Sequence, residues 1–518
     1  MTGATLQPGQ ADLPSAKSTA SYWHRQPSKT LLGHRTTKDL PPTADVVVVG
    51  SGITGAFAAK ELLERQAGGE GKRVVLLEAR EVCWGATGRN GGHCQPVSYN
   101  PNTAIASFEL ANYAHLRDLV AANSIPCDWV SLHGVHALLT PDLVDAARNQ
   151  IAALPPRFAG LARLVTDADE LRQLRIPDAM GAVVQEKAAS VWPYKLVAWI
   201  FEDLLRRFGV EGAAEPESSS GNKKGSSSSS SSFNIQTCTP VTRLQHLPPA
   251  TSSDAASWIL HTPRGQIATA QVLLASNAYT SRLLPRFADL IVPVRGQVAA
   301  LLPPRPRPEL GTAYVFMASS DAARGEPNQD DYLIQRPGPG LEMILGGGRA
   351  RGTLRGVGIS DDDEIDPVVA SYLRQAGARN LDLAAAVGPG METGTGRMQD
   401  EGRGGNSTSS KKELEASHEW TGIMAFSRDG RPWVGQVPPG SVLGGGEGLW
   451  VCAGYTGHGM PQAALCGRAV AGMMIAGGGG GDDDEEPPTE FLVSEERAEK
   501  ARALPSIKEM DDLDMFLL

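Results

Sequence analysis

The sequence predicts an α/β protein in which a parallel-sheet domain is interleaved with an α+β domain carrying a mixed or antiparallel sheet. Three observations predict it: a β-α-β pattern over residues 45–78, a further buried strand at 271–275, and short strand-like runs late in the chain. Residues 45–49 (DVVVV) form a β-branched apolar run ending in glycine, which suits a strand buried on both faces of a parallel sheet. Helical spacing follows over 53–66, then a polar loop at 67–72 and a second strand at 73–78 (RVVLLE). Residues 196–208 read as a helix, 235–244 and 258–261 as strands, and 271–275 (QVLLA) as another buried strand. Residues 332–335, 343–346 and 433–435 resemble strands of a second sheet, and 462–476 reads as a helix.

Four low-complexity stretches, 211–232, 399–412, 444–448 and 477–488, bury too little apolar surface to order themselves and read as solvated loop insertions. No repeat of 20–50 residues is present. With 518 residues, 41% hydrophobic and 20% charged, the chain is long enough for a large core, which excludes a wholly disordered, fibrous or coiled-coil protein. A formal net charge of -10 opposes general attraction to nucleic acid or anionic membrane, so neither partner is expected. The cysteines (Cys83, Cys94, Cys127, Cys238, Cys452, Cys466) form no CxxC pair, so neither a disulfide lattice nor a metal site is expected. The first 44 residues lack the apolar stretch of a secretory signal, and residues 448–476 are interrupted by His458, Pro461, Arg468 and glycines. The final residues Met515 to Leu518 lack a peroxisomal address. A cytoplasmic location is the expectation.

Gly50-Ser51-Gly52-Ile53-Thr54-Gly55 lies between the first strand and helix, and Glu78 closes the second strand 23 residues past Gly55. Gly50 permits the tight turn, Gly52 lets backbone N–H groups approach a pyrophosphate, and Gly55 lets helix and strand pack closely. The N-terminus of the helix favours phosphate, and Glu78 is placed to accept hydrogen bonds from ribose hydroxyls. This is a Rossmann-type dinucleotide-binding pattern, and by itself it does not separate FAD from NAD.

Further residues separate them. Gly85-Ala86-Thr87-Gly88-Arg89-Asn90-Gly91-Gly92-His93 and Gly454-Tyr455-Thr456-Gly457-His458-Gly459-Met460 flank a series that runs Thr239-Pro240-Val241, Ala275-Ser276-Asn277-Ala278-Tyr279, Pro293-Val294-Arg295-Gly296-Gln297, Gly346-Gly347-Gly348-Arg349 and Asp429-Gly430-Arg431-Pro432. At these residues, in this order over about 45 to 475, the sequence resembles the FAD-dependent amine and amino-acid oxidoreductases of the D-amino-acid oxidase (DAO) superfamily. The γ-glutamylputrescine oxidase-like and sarcosine oxidase-like branches are the most similar.

The resemblance implies an N-terminal extension at 1–44, an FAD-dependent oxidoreductase domain at 45–475, and an acidic tail at 476–518. FAD-binding parts would span about 45–98, 190–285 and 418–475, with substrate-domain parts at about 99–189 and 286–417. It implies that Ile53 and Thr54 at the helix start, Ala79 and Arg80 after Glu78, and Thr87, Gly88, Arg89, Asn90 and Gly91 in the next loop contact the cofactor. Gly454, Gly457, His458, Gly459 and Met460 would bring backbone N–H groups to the flavin pyrimidine, where charge accumulates on reduction. His458 would shape that loop. Val241 and Asn277 would hold the adenine end, although Asn277 is equally a turn residue.

Two departures narrow the chemistry. Gly422 stands where tethering relatives carry a cysteine, so non-covalent FAD is expected, with Cys94 as an alternative tether. Met424 stands near the position of a carboxylate-binding arginine, which tilts the substrate toward an amine without an α-carboxylate, and Arg349 or Arg428 could compensate. His93, Tyr332, Arg349 and Trp420 are the candidate substrate-facing residues, although His93 could only cap the loop, Tyr332 and Trp420 could be core, and Arg349 could pair with an acid. No general base and no oligomeric state are assigned. The expected activity is oxidation of a CH–NH bond of a small-molecule amine by FAD, with O2 as the acceptor and H2O2 as product. The alternatives are an FAD dehydrogenase with another acceptor, an NAD(P)-dependent dehydrogenase and a non-catalytic flavin-binding scaffold.

Overall fold

The structure is a computed structural model and describes residues 6–65, 71–210, 231–247, 256–384, 413–477 and 486–510. The expected insertion at 399–412, and nearly all of that at 211–232, lie outside the described residues.

The Val-rich run forms strand Thr43–Val49, which pairs in parallel with Arg73–Leu77 on one side and Gly265–Leu274 on the other. Val46 to Val48 are no more than 1% exposed, as a strand covered on both faces requires. Ser232–Gln236 and Leu449–Ala453 extend the parallel sheet at its two sides. Helix Ile53–Glu64 packs against helix Ala463–Ala476, and Gly467 approaches the Thr54 carbonyl closely enough that no larger residue would fit.

A second sheet has the order Ala416–Ser427, Ile291–Leu301, Met343–Gly346, Gln329–Gln335, Thr312–Ala318, Val130–Leu138, Gly181–Ser190 and His93–Cys94. Its pairs are antiparallel except Thr312–Ala318 with Val130–Leu138. The fold is therefore α/β with one largely parallel and one largely antiparallel sheet, and the chain crosses between them several times.

Three expectations are corrected. Residues 235–244 are two strands, Ser232–Gln236 and Arg243–His246, because Cys238 takes a left-handed φ of 48° and turns the chain between them. Trp433–Gln436 belongs to the first sheet, antiparallel to Leu449–Ala453. The glycine-rich stretch 444–448 is packed, since the Trp258 indole donates to the Glu447 carbonyl (2.6 Å) and Gly446 leaves no room for a Cβ against Trp258. Described segments toward both ends of the chain are also docked. Tyr22 and Trp23 are buried beside Trp192 and Trp420. Helix Glu495–Ala503 buries Ala498 and Ala501, and its Arg497 clamps Asp429 (Nε to Oδ2, 2.8 Å) and the Pro432 carbonyl. Among the described residues no helix is long and apolar enough to cross a membrane.

Candidate active site

A cavity of about 310 Å³ begins at the C-terminal ends of the first-sheet strands and continues to the second sheet. One end is the glycine turn. Gly50 has φ 110°, and a Cβ at Gly55 would overlap the Gly50 carbonyl oxygen, so both positions need glycine. Helix Ile53–Glu64 starts at Gly52 without a capping side chain from that residue, and the Ile53 N–H is met by Thr87 Oγ1 (3.1 Å). Gly52, Ile53, Thr54, Ala79, Thr87 and Val241 all line the cavity.

Glu78 also lines it, with Oε2 accepting from the Ser51 N–H (3.0 Å) and hydroxyl (2.6 Å) and Oε1 from the Arg80 N–H (2.8 Å). These bonds fix the carboxylate at the strand end. Arg80 and Arg89 share one buried carboxylate, Asp362: Arg80 Nη1 lies 2.9 Å from Oδ2 and Arg89 Nε 3.0 Å from it. Arg89 Nη2 donates to the Thr19 carbonyl (2.5 Å) and hydroxyl (2.7 Å), while Nη1 is buried without a hydrogen-bond partner. Burial lowers the Arg89 pKa to about 10, against the pull of Asp362.

The far end is built from the second sheet and the late glycine-rich loop. Tyr332 is seated between Gly91 and Gly346, either of which would clash with its ring if it carried a Cβ, and meets His93 edge to face (5.4 Å between centroids). Both ring nitrogens of His93 are buried, and burial pushes its pKa down to about 4 against the opposing backbone contacts of Leu333, Gly91 and Tyr314. Arg349 pairs with Asp330 (3.2 Å) and lies over the Phe426 ring (4.8 Å). Asn90, Gly91, Met424, Gly457, Gly459 and Met460 complete this end.

The loop at Gly454–Met460 is held by residues remote in sequence. Asn277 Oδ1 accepts from the Gly454 N–H (3.1 Å), so its side chain is committed to that loop while the residue lines the cavity. Asn112 donates to the Met460 carbonyl (3.0 Å) and accepts from the Leu465 N–H (3.0 Å). Glu109 is 1% exposed, accepts from the Val97 N–H (2.8 Å) and Gln462 Nε2 (2.8 Å), and lies 3.1 Å from His458 Nε2. Burial alone would lower the His458 pKa, and the Glu109 carboxylate outweighs it and raises the value.

Several expected residues stand elsewhere. Trp420 is fully buried behind the loop, its indole donating to the Arg89 carbonyl (2.8 Å), so it positions Arg89 and does not face a substrate. Gly55, Gly88 and Gly454 shape the backbone without lining the cavity, Gly88 because Cys83 and His24 press against it. Arg428 is bound to the Leu504 and Pro505 carbonyls and does not reach the cavity to replace the missing carboxylate-binding arginine. Residues absent from the sequence reading include Glu109, Asn112, Gln95, His136, Asp330, Asp362 and Thr19. None sits in a motif, and apart from Gln95, two residues past His93, their separation from the glycine turns leaves no local signal.

These features fit a dinucleotide with a flavin at one end: a glycine cradle, a helix start whose first N–H alone is met by a side chain, an unpartnered guanidinium nitrogen, and the unpartnered Gln95 carboxamide beyond. A family model described as FAD dependent oxidoreductase matches residues 45–473. The chain is 22% identical over 462 residues to the γ-glutamylputrescine oxidoreductase of Escherichia coli, covering 83% of this chain and 84% of the relative. It is also 22% identical over 444 residues to a probable oxidoreductase OrdL of Rhizobium meliloti, covering 83% and 82%. Glycine oxidase from Geobacillus kaustophilus shares the fold with a TM-score of 0.60 at 18% identity, covering 88% of this chain and 99% of that one. The extent of the family match, across the glycine turns at both ends of the cavity, makes this chain a member of the DAO family of FAD-dependent oxidoreductases.

Proposed function

We propose that the protein oxidises the CH–NH bond of a small amine, giving an imine that water hydrolyses to a carbonyl compound and a free amine. The observation that carries this reading is the cavity itself, which runs without interruption from the glycine cradle to a wall of Tyr332, Met424, Phe426 and the Arg349–Asp330 pair. FAD bound there supplies the acceptance of a hydride equivalent from the carbon beside nitrogen.

The chain's own residues orient and stabilise. The turn at Gly50–Gly55 and the start of helix Ile53–Glu64 hold the pyrophosphate, Glu78 the ribose, and Val241 the adenine end. Arg89 Nη1 offers its remaining donor to an anionic group. The N–H groups of Gly457, Gly459 and Met460, ahead of helix Ala463–Ala476, stabilise negative charge at the flavin pyrimidine, while the His458 N–H closes the turn on the Tyr455 carbonyl (2.8 Å). His458, held by Glu109, fixes that loop. Tyr332 and Phe426 give aromatic walls and Met424 a flexible apolar one, against which an uncharged amine sits with its C–H aimed at the cofactor.

The substrate is read as an amine lacking an α-carboxylate, because Met424 offers no cation and Asp330 neutralises Arg349. The name of the Escherichia coli relative refers to γ-glutamylputrescine, an amine, and so supports this side, while glycine oxidase names an amino acid. Dioxygen is the proposed acceptor, with hydrogen peroxide as product, and the cytoplasm the proposed location. The test is an anaerobic absorbance scan of the FAD-loaded protein with polyamines, γ-glutamylputrescine, sarcosine and simple amino acids. Bleaching by an amine and rapid return of colour in air are expected. Bleaching by α-amino acids alone would overturn the amine assignment, and colour that returns no faster than for free flavin would assign the electrons to another acceptor.

A further inference from the structure

The family match begins at residue 45, yet part of the cavity wall comes from earlier in the chain. Leu13 and Pro14 line the cavity, and both are half-buried. Residues 9–20 form neither helix nor strand, so contacts with other parts of the chain hold them in place. These contacts lie on both sides of the Leu13–Pro14 pair. On one side Gly9 takes a φ of 83°, and a Cβ there would come within 2.4 Å of the Ala288 carbonyl oxygen. The Ala11 N–H donates to Ser281 Oγ (2.9 Å), the Asp12 N–H to Ser360 Oγ (3.2 Å), and the Asp12 carboxylate lies 3.8 Å from Arg282 Nε. On the other side the Thr19 N–H donates to the Asp362 carbonyl (2.8 Å), the Ser21 hydroxyl to the Gly88 carbonyl (2.8 Å) and the Trp23 indole to the Asn90 carbonyl (2.6 Å). Arg282 and Asn90 themselves line the cavity, so the segment runs across one face of it and is pinned at both edges.

The same segment grips two of the arginines in the cavity wall. The Ser15 carbonyl accepts from Arg80 Nη1 (3.4 Å), and the Thr19 carbonyl and hydroxyl accept from Arg89 Nη2. It thereby helps to orient the cations that an anionic cofactor meets. Its hold is uneven. Ala11, Ser21, Tyr22 and Trp23 are buried, whereas Asp12, Ala16, Lys17 and Ala20 are exposed. A stretch with anchored ends and little buried apolar surface between them opens locally, at low cost, without the rest of the fold.

We propose that residues 9–23 are a strap that forms one wall of the FAD site and has to lift for the cofactor to leave. Docking and binding are then reciprocal: bound FAD holds the strap down, and the docked strap slows FAD release. The inference rests on FAD binding alone and does not depend on which substrate is oxidised.

The test is FAD release from the loaded protein, followed by the rise in free-flavin fluorescence after dilution, together with backbone hydrogen exchange. Gly9→Val, at a residue that does not line the cavity, should lift the strap and speed release about tenfold or more. Ser281→Ala removes the acceptor of the Ala11 N–H and should speed release about threefold, which makes the test independent of any effect of valine on folding. In the unaltered protein, exchange at residues 9–23 should be at least about tenfold slower with FAD than without. In both loaded variants it should be faster, with exchange in helix Ile53–Glu64 unchanged. Release within about twofold of the unaltered protein in both variants, strap exchange indifferent to FAD, or exchange in helix Ile53–Glu64 rising as much as in the strap would each overturn the proposal.

Discussion

The two ends of the cavity are made in different ways. At the glycine-turn end, contacts come from backbone N–H groups, helix starts and glycines within short stretches of chain, at Gly50–Gly55 and Glu78–Arg80. At the second-sheet end, His93, Gln95, His136, Asp330, Tyr332, Arg349 and Met424 arrive from five separate strands or their flanks. Backbone recognition tolerates many side chains so long as glycine stands where φ or contact demands it. Side-chain recognition depends on register and packing between distant strands. Asp362 joins the ends, because its carboxylate holds both Arg80 and Arg89.

The largest expected effect breaks that junction. Asp362→Asn leaves two buried guanidiniums without their shared charge and should cost about 3–5 kcal/mol of stability, read from the urea midpoint with FAD present. Loss of less than about 1 kcal/mol would show that the ends are joined by packing alone.

Next comes the contrast between glycines. Gly55→Val should weaken FAD binding about 100-fold, since the side chain meets backbone that cannot yield, as read by flavin fluorescence on titrating apoprotein. Gly346→Ala presses on the Tyr332 ring and should lower kcat/KM for the best amine about tenfold while leaving FAD affinity within about threefold. Equal effects on FAD from both would erase the distinction between the ends.

A smaller effect concerns pH. Glu109 raises the His458 pKa in the folded protein above its ordinary 6.5. Stability from this pair is therefore fully present below the unfolded value near 6.5 and is lost as pH rises through the folded value. Glu109→Gln should lower Tm more at pH 6 than at pH 9, and a difference independent of pH would refute the pairing. Smallest is Thr19→Ala, which removes one hydroxyl contact to Arg89 and should cost about 1 kcal/mol, visible as a modest rise in FAD dissociation rate.

Legibility in the sequence follows the same division. The glycine turns, Glu78 and the helix at the late loop were readable because φ, close approach and helix starts are local properties. Trp420 has two readings, substrate-facing or core, because an indole buried behind Arg89 and one facing a substrate have the same sequence pattern, and its full burial against the Arg89 carbonyl selects the core reading. Asn277 was placed near the cofactor, but its side-chain bond to Gly454 depends on two strand ends meeting. Asp362 stands in an acidic run, Asp361 to Glu364, in which nothing local marks it off from its neighbours, yet it is fully buried between two arginines.

The sequence by itself determined the α/β class, the parallel strands with their dinucleotide turn, and the family, since hydrophobic runs and glycine spacing act over a few residues. Only the tertiary structure decided which polar groups face one another at the far end: Arg349 neutralised by Asp330, His458 held by Glu109, and Gln95 left unpaired over Gly134. The physical reason is that a buried polar group is defined by its partners, and these partners lie tens to hundreds of residues apart.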